Sequence, residues 1–227
     1  MDKQTDNDTV VPMWMHQAEM DTSPLTNMYN YWEDLRAGRL APLRSEVDPR
    51  AIASSLENGF ILERVQPGSV RFRLAGSHLS DLMGMEVRGM PLRAFVEPAV
   101  RSAFTQSLEA VFEGPETHEY RLVSRQKNSP KMAARILLLP MKSDSGEVDR
   151  ALGCMVSDGN IGLAPRRFRV TETRITSLLT GKSHREMADS APAGFAEEPK
   201  SFTSEPRPRP QRADGPPKLR LVKSDTW

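Results

Sequence analysis

One amphipathic segment limits what this chain can fold into. Val100, Phe104, Leu108 and Phe112 recur at four-residue steps with Val111 beside them, while Ser102, Gln106, Glu109 and Glu113 take polar positions. That period predicts a helix from Glu97-Pro98 to about Glu113, stopped by Gly114-Pro115. Its apolar stripe is wide enough to cover a sheet face, and strand patterns stand on both sides of it. Before it, an apolar run from Phe60 to Val65 and a second from Val70 to Leu74 flank Pro67-Gly68 and read as a hairpin. In the second run Val70, Phe72 and Leu74 alternate with Arg71 and Arg73, which turns the three apolar residues inward and both arginines to water. After the helix, His118, Tyr120 and Leu122 alternate with Glu119 and Arg121. Met132 to Leu139 is apolar with Arg135 embedded, and Ala151 to Val156 forms the last strand, carrying Cys154.

Shorter helical patterns fill the gaps. Met28, Tyr31 and Leu35 are spaced for a helix over about 27–37, with Trp32 alongside and Gly38 as its stop. Asp48-Pro49 reads as an N-cap and first residue of a helix over 49–56, with Ile52 and Leu56 on one side. Leu79, Leu82 and Met83 mark a short helix at 77–83, and Leu92 to Val96 allows one helical turn. The order predicts an α+β fold: a five-stranded, mostly antiparallel sheet with helices on one face and a flanking N-terminal helix.

Composition sets the boundaries of that body. Seven of the 18 prolines fall between residues 182 and 227, where the aromatics are Phe195, Phe202 and Trp227. Such a stretch buries too little apolar surface to offset its ordering entropy. The chain therefore divides into a flexible N-terminus (1–24), a folded domain (25–157), a short extension with a candidate helix (158–181) and a disordered tail (182–227). In the extension, residues 170–175 suit a strand or a helix. Ile175, Leu178 and Leu179 at helical spacing favour the helix. In the tail Arg207-Pro208-Arg209-Pro210-Gln211-Arg212 favours an extended polyproline conformation.

Several classes of function are excluded or made remote. With 31 Lys+Arg against 30 Asp+Glu, bulk positive charge cannot drive nucleic-acid binding. One cysteine leaves no intramolecular disulfide framework. His16, His78, His118 and His184 have no metal-ligand spacing, so no metal site is expected. The polar, acidic start lacks the features of a signal peptide, and the strongest apolar run, Ile136 to Leu139, is far short of a membrane span. A cytoplasmic protein without membrane insertion is the expectation. No phosphate-binding loop, dinucleotide fingerprint or nucleophile–base pair is visible, so no catalytic residues are assigned and the chain reads as a non-enzyme.

Three groups of stretches stand out along the chain. Near the start they are Tyr31-Trp32-Glu33-Asp34-Leu35-Arg36, Gly38-Arg39-Leu40, Pro42, Arg44 and Asp48-Pro49-Arg50. In the middle they are Phe72-Arg73-Leu74-Ala75-Gly76-Ser77, Leu79, Gly84, Glu86 and Arg88-Gly89, and later Leu137-Leu138-Leu139-Pro140 and Leu152-Gly153. By these stretches, which together cover about residues 27–157, the sequence resembles an alphaproteobacterial PAS-like family, and the order of elements is the one expected of a PAS domain.

The resemblance implies a sensory or regulatory module in signal transduction, without chemistry of its own, that acts through protein contacts biased by a small ligand. It also implies a homodimer formed through the helix before the sheet. Met28, Tyr31, Trp32 and Leu35 on that helix are the candidate interface, or they close the domain core. Phe72, Leu74, Leu82, Phe95, Phe104, Leu108 and Tyr120 are the candidate lining of a ligand pocket, or a solid core. No cofactor is evident. Haem-binding relatives take an axial histidine from the crossover helices, where the 98–113 segment has none. Flavin-adduct relatives use a cysteine in the middle helical segment, which here has none either. Cys154 reads as a small buried core residue, and His118 as a packed strand histidine or a cavity-facing one. Two alternatives remain: a structural adaptor that presents the tail, and a weak nucleic-acid binder working through the tail arginines.

Overall fold

The computed structural model describes residues 20–114 and 116–187. The expected flexible start, as far as residue 19, and the expected tail from residue 188 onward lie outside the described residues. The elements are α1 (Ser23–Arg36), β1 (Gly59–Gln66), β2 (Ser69–Ala75), α2 (Ser77–Met83), α3 (Arg101–Glu113), β3 (Glu116–Ser124), β4 (Met132–Met141), β5 (Arg150–Asp158), β6 (Arg169–Ser177) and β7 (Ser183–Met187). All seven strands form one sheet in the order β2-β1-β5-β4-β3-β6-β7. Every pairing is antiparallel.

Both faces of the sheet carry an apolar layer, the outer one over part of its width. On the inner face, Phe104, Leu108, Val111 and Phe112 of α3 pack on Leu62, Phe72, Tyr120, Ile136 and Leu138, with α2 adding Leu79 and Leu82. On the outer face, Leu25, Met28 and Trp32 of α1 pack on Ile61, Leu137, Leu139, Leu152 and Cys154. This explains the unbroken apolar run in β4. Even-numbered residues serve one face and odd-numbered residues the other, and both faces are dry, so alternation disappears where the strand is buried twice. Arg135 obeys the same parity and emerges on the outer face just beyond the cover of α1.

Five expectations need correction. The sheet has seven strands, not five. Residues 169–177, read as part of an extension with a helix, form β6 along the free edge of β3. Residues 183–187, assigned to the tail, form β7. The β-branched run Val170, Thr171, Thr173, Ile175 and Thr176 carries strand propensity, and partnership with β3 decides it. Leu178 and Leu179, which suggested a helix, lie at the β6–β7 turn. The expected 49–56 helix is a set of turns with one 3-10 turn at Ala53–Ser55. There Asp48 Oδ1 accepts from the Arg50 amide at 2.9 Å, a local turn contact rather than a helix cap. Finally, Leu74 does not face inward but is 42% exposed.

The last correction has a local cause. Ile61 pairs with Leu74 and Leu62 with Phe72, so Arg73 is an extra residue bulged out of β2. A bulge inverts the alternation beyond it. Val70 and Phe72 stay on the inner face, while Leu74 joins Ile61 on the outer face at the sheet edge, past the reach of α1.

Two further contacts fix the layers. Gly153 pairs with Phe60, and a Cβ at that position would stand 2.1 Å from the Phe60 ring. Glycine there lets the ring lie flat over the β5 backbone. The β2 edge is closed by the following loop, with the Gly89 amide donating to Phe72 O at 2.8 Å and the Phe72 amide to Met90 O at 3.0 Å. Covering an edge in this way removes a template for aggregation.

Candidate functional site

The inner layer is where the expected pocket residues meet. Phe72, Leu82, Phe95, Phe104, Leu108 and Tyr120 are all buried in one cluster, and Leu74 lies outside it. The aromatic rings touch one another directly. Phe60 and Phe72 meet at 5.4 Å in an edge-on arrangement, Phe72 and Phe95 at 5.4 Å, and Phe104 and Tyr120 at 5.1 Å, again edge-on. These are favoured aromatic geometries.

Phe168, from the extension, completes the layer. Its amide donates to Phe95 O and its carbonyl accepts from the Glu97 amide, both at 2.8 Å. The ring is fully buried among the others. The preceding residue pair also binds the domain. The Arg166 amide donates to Leu82 O at 2.7 Å, and the buried guanidinium donates to Pro130 O at 2.7 Å and Ile161 O at 3.3 Å. Arg167 donates to Ala94 O. Residues 166–168 thus anchor the extension in the core, while Gly162 to Pro165 stay exposed. Sequence reasoning missed Phe168 because a lone phenylalanine in a Pro/Arg-rich loop has no periodicity to declare its burial.

A polar chain crosses the same layer. Tyr120 lies on β3, and its phenol oxygen is 3.0 Å from Ser107 Oγ on α3 and 3.1 Å from His118 Nδ1. His118 Nε2 is 3.4 Å from the Glu116 carboxylate. Strand parity puts 116, 118 and 120 on one face, so three neighbours two apart form a ladder that ends on the helix. His118 is wholly buried, as the packed-histidine reading expects. Burial pushes its imidazole below the usual 6.5, and the Glu116 hydrogen bond and charge oppose that. Burial likewise drives the Tyr120 phenol upward, well away from neutral pH, with Ser107 pulling slightly the other way. Both groups are neutral at pH 7, and the chain holds α3 to the sheet.

The candidate interface residues divide. Met28 and Trp32 are wholly buried within the chain's own outer-face core and are not available to a partner in this fold. The Trp32 indole Nε1 donates to Pro140 O at 2.9 Å. Tyr31 and Leu35 are half-buried against that core, and the Tyr31 hydroxyl accepts from the Asp48 amide at 2.7 Å. The solvent side of α1 carries Thr26, Asn27, Asn30 and Asp34, with Tyr29 as its one exposed aromatic ring. Cys154 lies under α1, and burial lifts its thiol to about 12, which leaves it protonated and unreactive at neutral pH. Among the described residues there is no cluster of three or more metal-ligating side chains, and no helix is long and apolar enough to cross a membrane.

Beside α1 the outer face opens into two clefts that share Arg135. One, of about 640 Å³, is lined by residues 20–23, Thr26, Asn27 and Arg135. The other, of about 550 Å³, runs over β3 and β6 past Tyr29, Glu119, Leu137 and Arg174. Sequence reasoning singled out Arg135 without placing it. Strand parity does place it, once the outer face is known to be half covered.

A strand order of 2-1-5-4-3 with a helical crossover between β2 and β3 defines a PAS-type α+β fold, here extended by β6 and β7. The family model described as PAS domain matches residues 20–156. The chain belongs to that family, and is in the coarse sense a sensory or regulatory module. Among curated proteins none matches it. Light-oxygen-voltage domains are among the solved structures that resemble it. One, studied with a flavin analogue, is 18% identical over 49% of this chain and 84% of its own, with a TM-score of 0.37. The dark-state Aureochrome1 domain is 16% identical over 49% and 81%, at 0.35. A fungal photoreceptor domain is 17% identical over 49% and 92%, at 0.35.

Proposed function

We propose that the chain is a non-catalytic regulatory PAS module that acts through contacts with other protein chains, including a second copy of itself. One observation carries this reading. The space between sheet and helices, where a ligand would have to sit, is occupied by the chain's own rings, Phe60, Phe72, Phe95, Phe104, Tyr120 and Phe168. A small molecule entering there would have to displace packed aromatic contacts, each pair worth about 0.5–1.5 kcal/mol beyond its buried area. Surface contacts carry no such cost. The polar outward side of α1 moves the expected self-contact away from Met28 and Trp32 and onto the open part of the sheet.

Native mass spectrometry of the full chain, purified without refolding, tests the reading. The expected spectrum holds masses of the bare chain and of its oligomers or protein complexes. A stoichiometric small molecule retained in the native ions and lost on denaturation would overturn the filled-interior argument. A strictly monomeric chain that captures no protein would overturn the contact argument.

A further inference from the structure

The outer sheet face is only half covered. α1 lies over β5 and β4, and beyond Leu137 arginines of β4, β3, β6 and β7 reach solvent over the buried Thr117 and Glu172. There two carboxylates are each shared by two arginines. Glu119 is 3.7 Å from Arg135 Nε and 3.6 Å from Arg174 Nη1. Glu172 is 3.4 Å from Arg121 Nη1 and 3.4 Å from Arg185 Nε. Four guanidinium groups stand against these two carboxylates and Asp21, which lines the cleft beside Arg135, so this face keeps a formal excess of one positive charge.

The geometry leaves the excess usable. In each of these four pairs the closest nitrogen–oxygen approach is 3.4–3.7 Å, longer than the roughly 2.7–2.9 Å of a tight charge-assisted hydrogen bond, so none of the guanidinium groups is gripped closely by its carboxylate. The arginine side chains remain 27–59% exposed. They lie on four consecutive strands, β4, β3, β6 and β7. Three inter-strand steps of about 4.8 Å give a span of roughly 14 Å from Arg135 to Arg185. A single small anion can satisfy one end of that row only. An extended peptide rises about 3.3 Å per residue, so two carboxylates about four residues apart match the span.

We infer that the open half of the outer sheet face, formed by Arg135, Arg174, Arg121 and Arg185, docks an extended acidic segment of a partner protein. The inference rests on the reading of the chain as a protein-contact module and names the chemistry of the partner. Charge complementarity selects the occupant. The carboxylates of an acidic segment offset the excess and give the loosely held guanidinium groups at both ends of the row a closer partner, and the open cleft over β3 and β6 gives the segment a path beside α1. The site lies on the side of the sheet opposite the aromatic interior, so a partner held there needs no change in the core to bind.

The test uses the full chain and a fluorescein-labelled peptide with two glutamates four residues apart, followed by fluorescence anisotropy at low and moderate salt. Saturable binding is expected, weakened at least about tenfold when both glutamates become glutamine or when the protein carries Arg135→Glu with Arg174→Glu. The lysine version of the peptide should then bind that double variant better than the wild type. The charge-neutral pair Arg135→Gln with Arg174→Gln should weaken peptide binding as well while keeping the urea midpoint near that of the wild type, because partly exposed ion pairs contribute little, whereas the two new carboxylates of the glutamate variant stand beside Glu119. Equal binding of the glutamate peptide by wild type and double variant would overturn the inference. So would tighter binding of a single-stranded oligonucleotide of the same charge, which would mark a phosphate surface. A tenfold gain in peptide affinity on replacing Asp2, Asp6, Asp8 and Glu19 by their amides would also overturn it, by making the chain's own acidic N-terminal segment the occupant. A small molecule retained in the native mass would remove the filled-interior reading while leaving these binding outcomes unchanged, so the two failures are distinguishable.

Discussion

Replacing Trp32 separates the two roles that a tryptophan on α1 can play. In this structure Trp32 is wholly buried between α1 and the outer sheet face, and its indole N–H is satisfied by Pro140 O at 2.9 Å. A tryptophan side chain buries on the order of 150–250 Å². At about 25 cal/mol per Å² that is roughly 4–6 kcal/mol as an upper bound. Trp32→Ala should therefore cost about 3–5 kcal/mol, the range for deleting a large buried aromatic. Trp32→Phe keeps much of the apolar contact but leaves the Pro140 carbonyl without its donor, which should cost about 1–3 kcal/mol. Urea denaturation followed by circular dichroism measures both, and sedimentation velocity in the absence of urea measures association. The alanine variant should lower the midpoint strongly, the phenylalanine variant by less, and neither should change the oligomeric state of the fraction that remains folded. A Trp32→Ala protein with unchanged stability and reduced association would refute the packing argument and return this residue to an interface.

Three other outcomes follow from the same reasoning. Gly153→Ala should cost at least about 2 kcal/mol, since the new methyl meets the Phe60 ring, and Phe60→Leu in the same chain should recover part of the loss; additive losses in denaturant titrations would refute the contact. Phe72→Asp should unfold the domain while Leu74→Asp stays within about 0.5 kcal/mol of wild type, because the bulge at Arg73 sends these residues to opposite faces; equal damage in thermal melts would place Leu74 in the core. His118 is held below its free value of 6.5 by burial, so the unfolded chain binds the proton more readily than the folded one. Stability should thus be full above about pH 6.5 and decline as the pH falls from there, by at most about 1.4 kcal/mol per pH unit for one proton, with a shallower decline in His118→Gln; identical slopes in urea titrations at pH 7.5 and 5.5 would dismiss the histidine as the source.

The period of Val100, Phe104, Leu108 and Phe112 and the alternation around Phe72 and Tyr120 are local signals, and they gave the helix, the hairpin and the inner layer. They were enough to place six of seven candidate interior residues together. What failed is what local pattern cannot encode. Leu74 left the interior because a bulge is a property of two paired strands, and neither strand announces it alone. The 170–177 segment became β6 because the free edge of β3 offered hydrogen-bond partners, which its own ambiguous pattern could not reveal. Phe168 is core by long-range closure only.

The candidate interface shows the same divide from the other side. The spacing of Met28, Trp32 and Leu35 determined that α1 has one sticky face, and nothing more. Whether that face meets another chain or this chain's own sheet depends on what lies within reach once β1, β5 and β4 have paired. The amino-acid sequence alone determined α1, α2 and α3, the five central strands and the presence of an apolar core, because each of these rests on the hydrophobic period of a short segment, whereas the 49–56 pattern misled. Tertiary structure alone decided which face α1 covers, that the sheet runs on to seven strands, and that four arginines from four strands stand side by side beyond the helix. Those depend on partners far apart in the chain, whose contact free energy is gained only after the loops between them have closed.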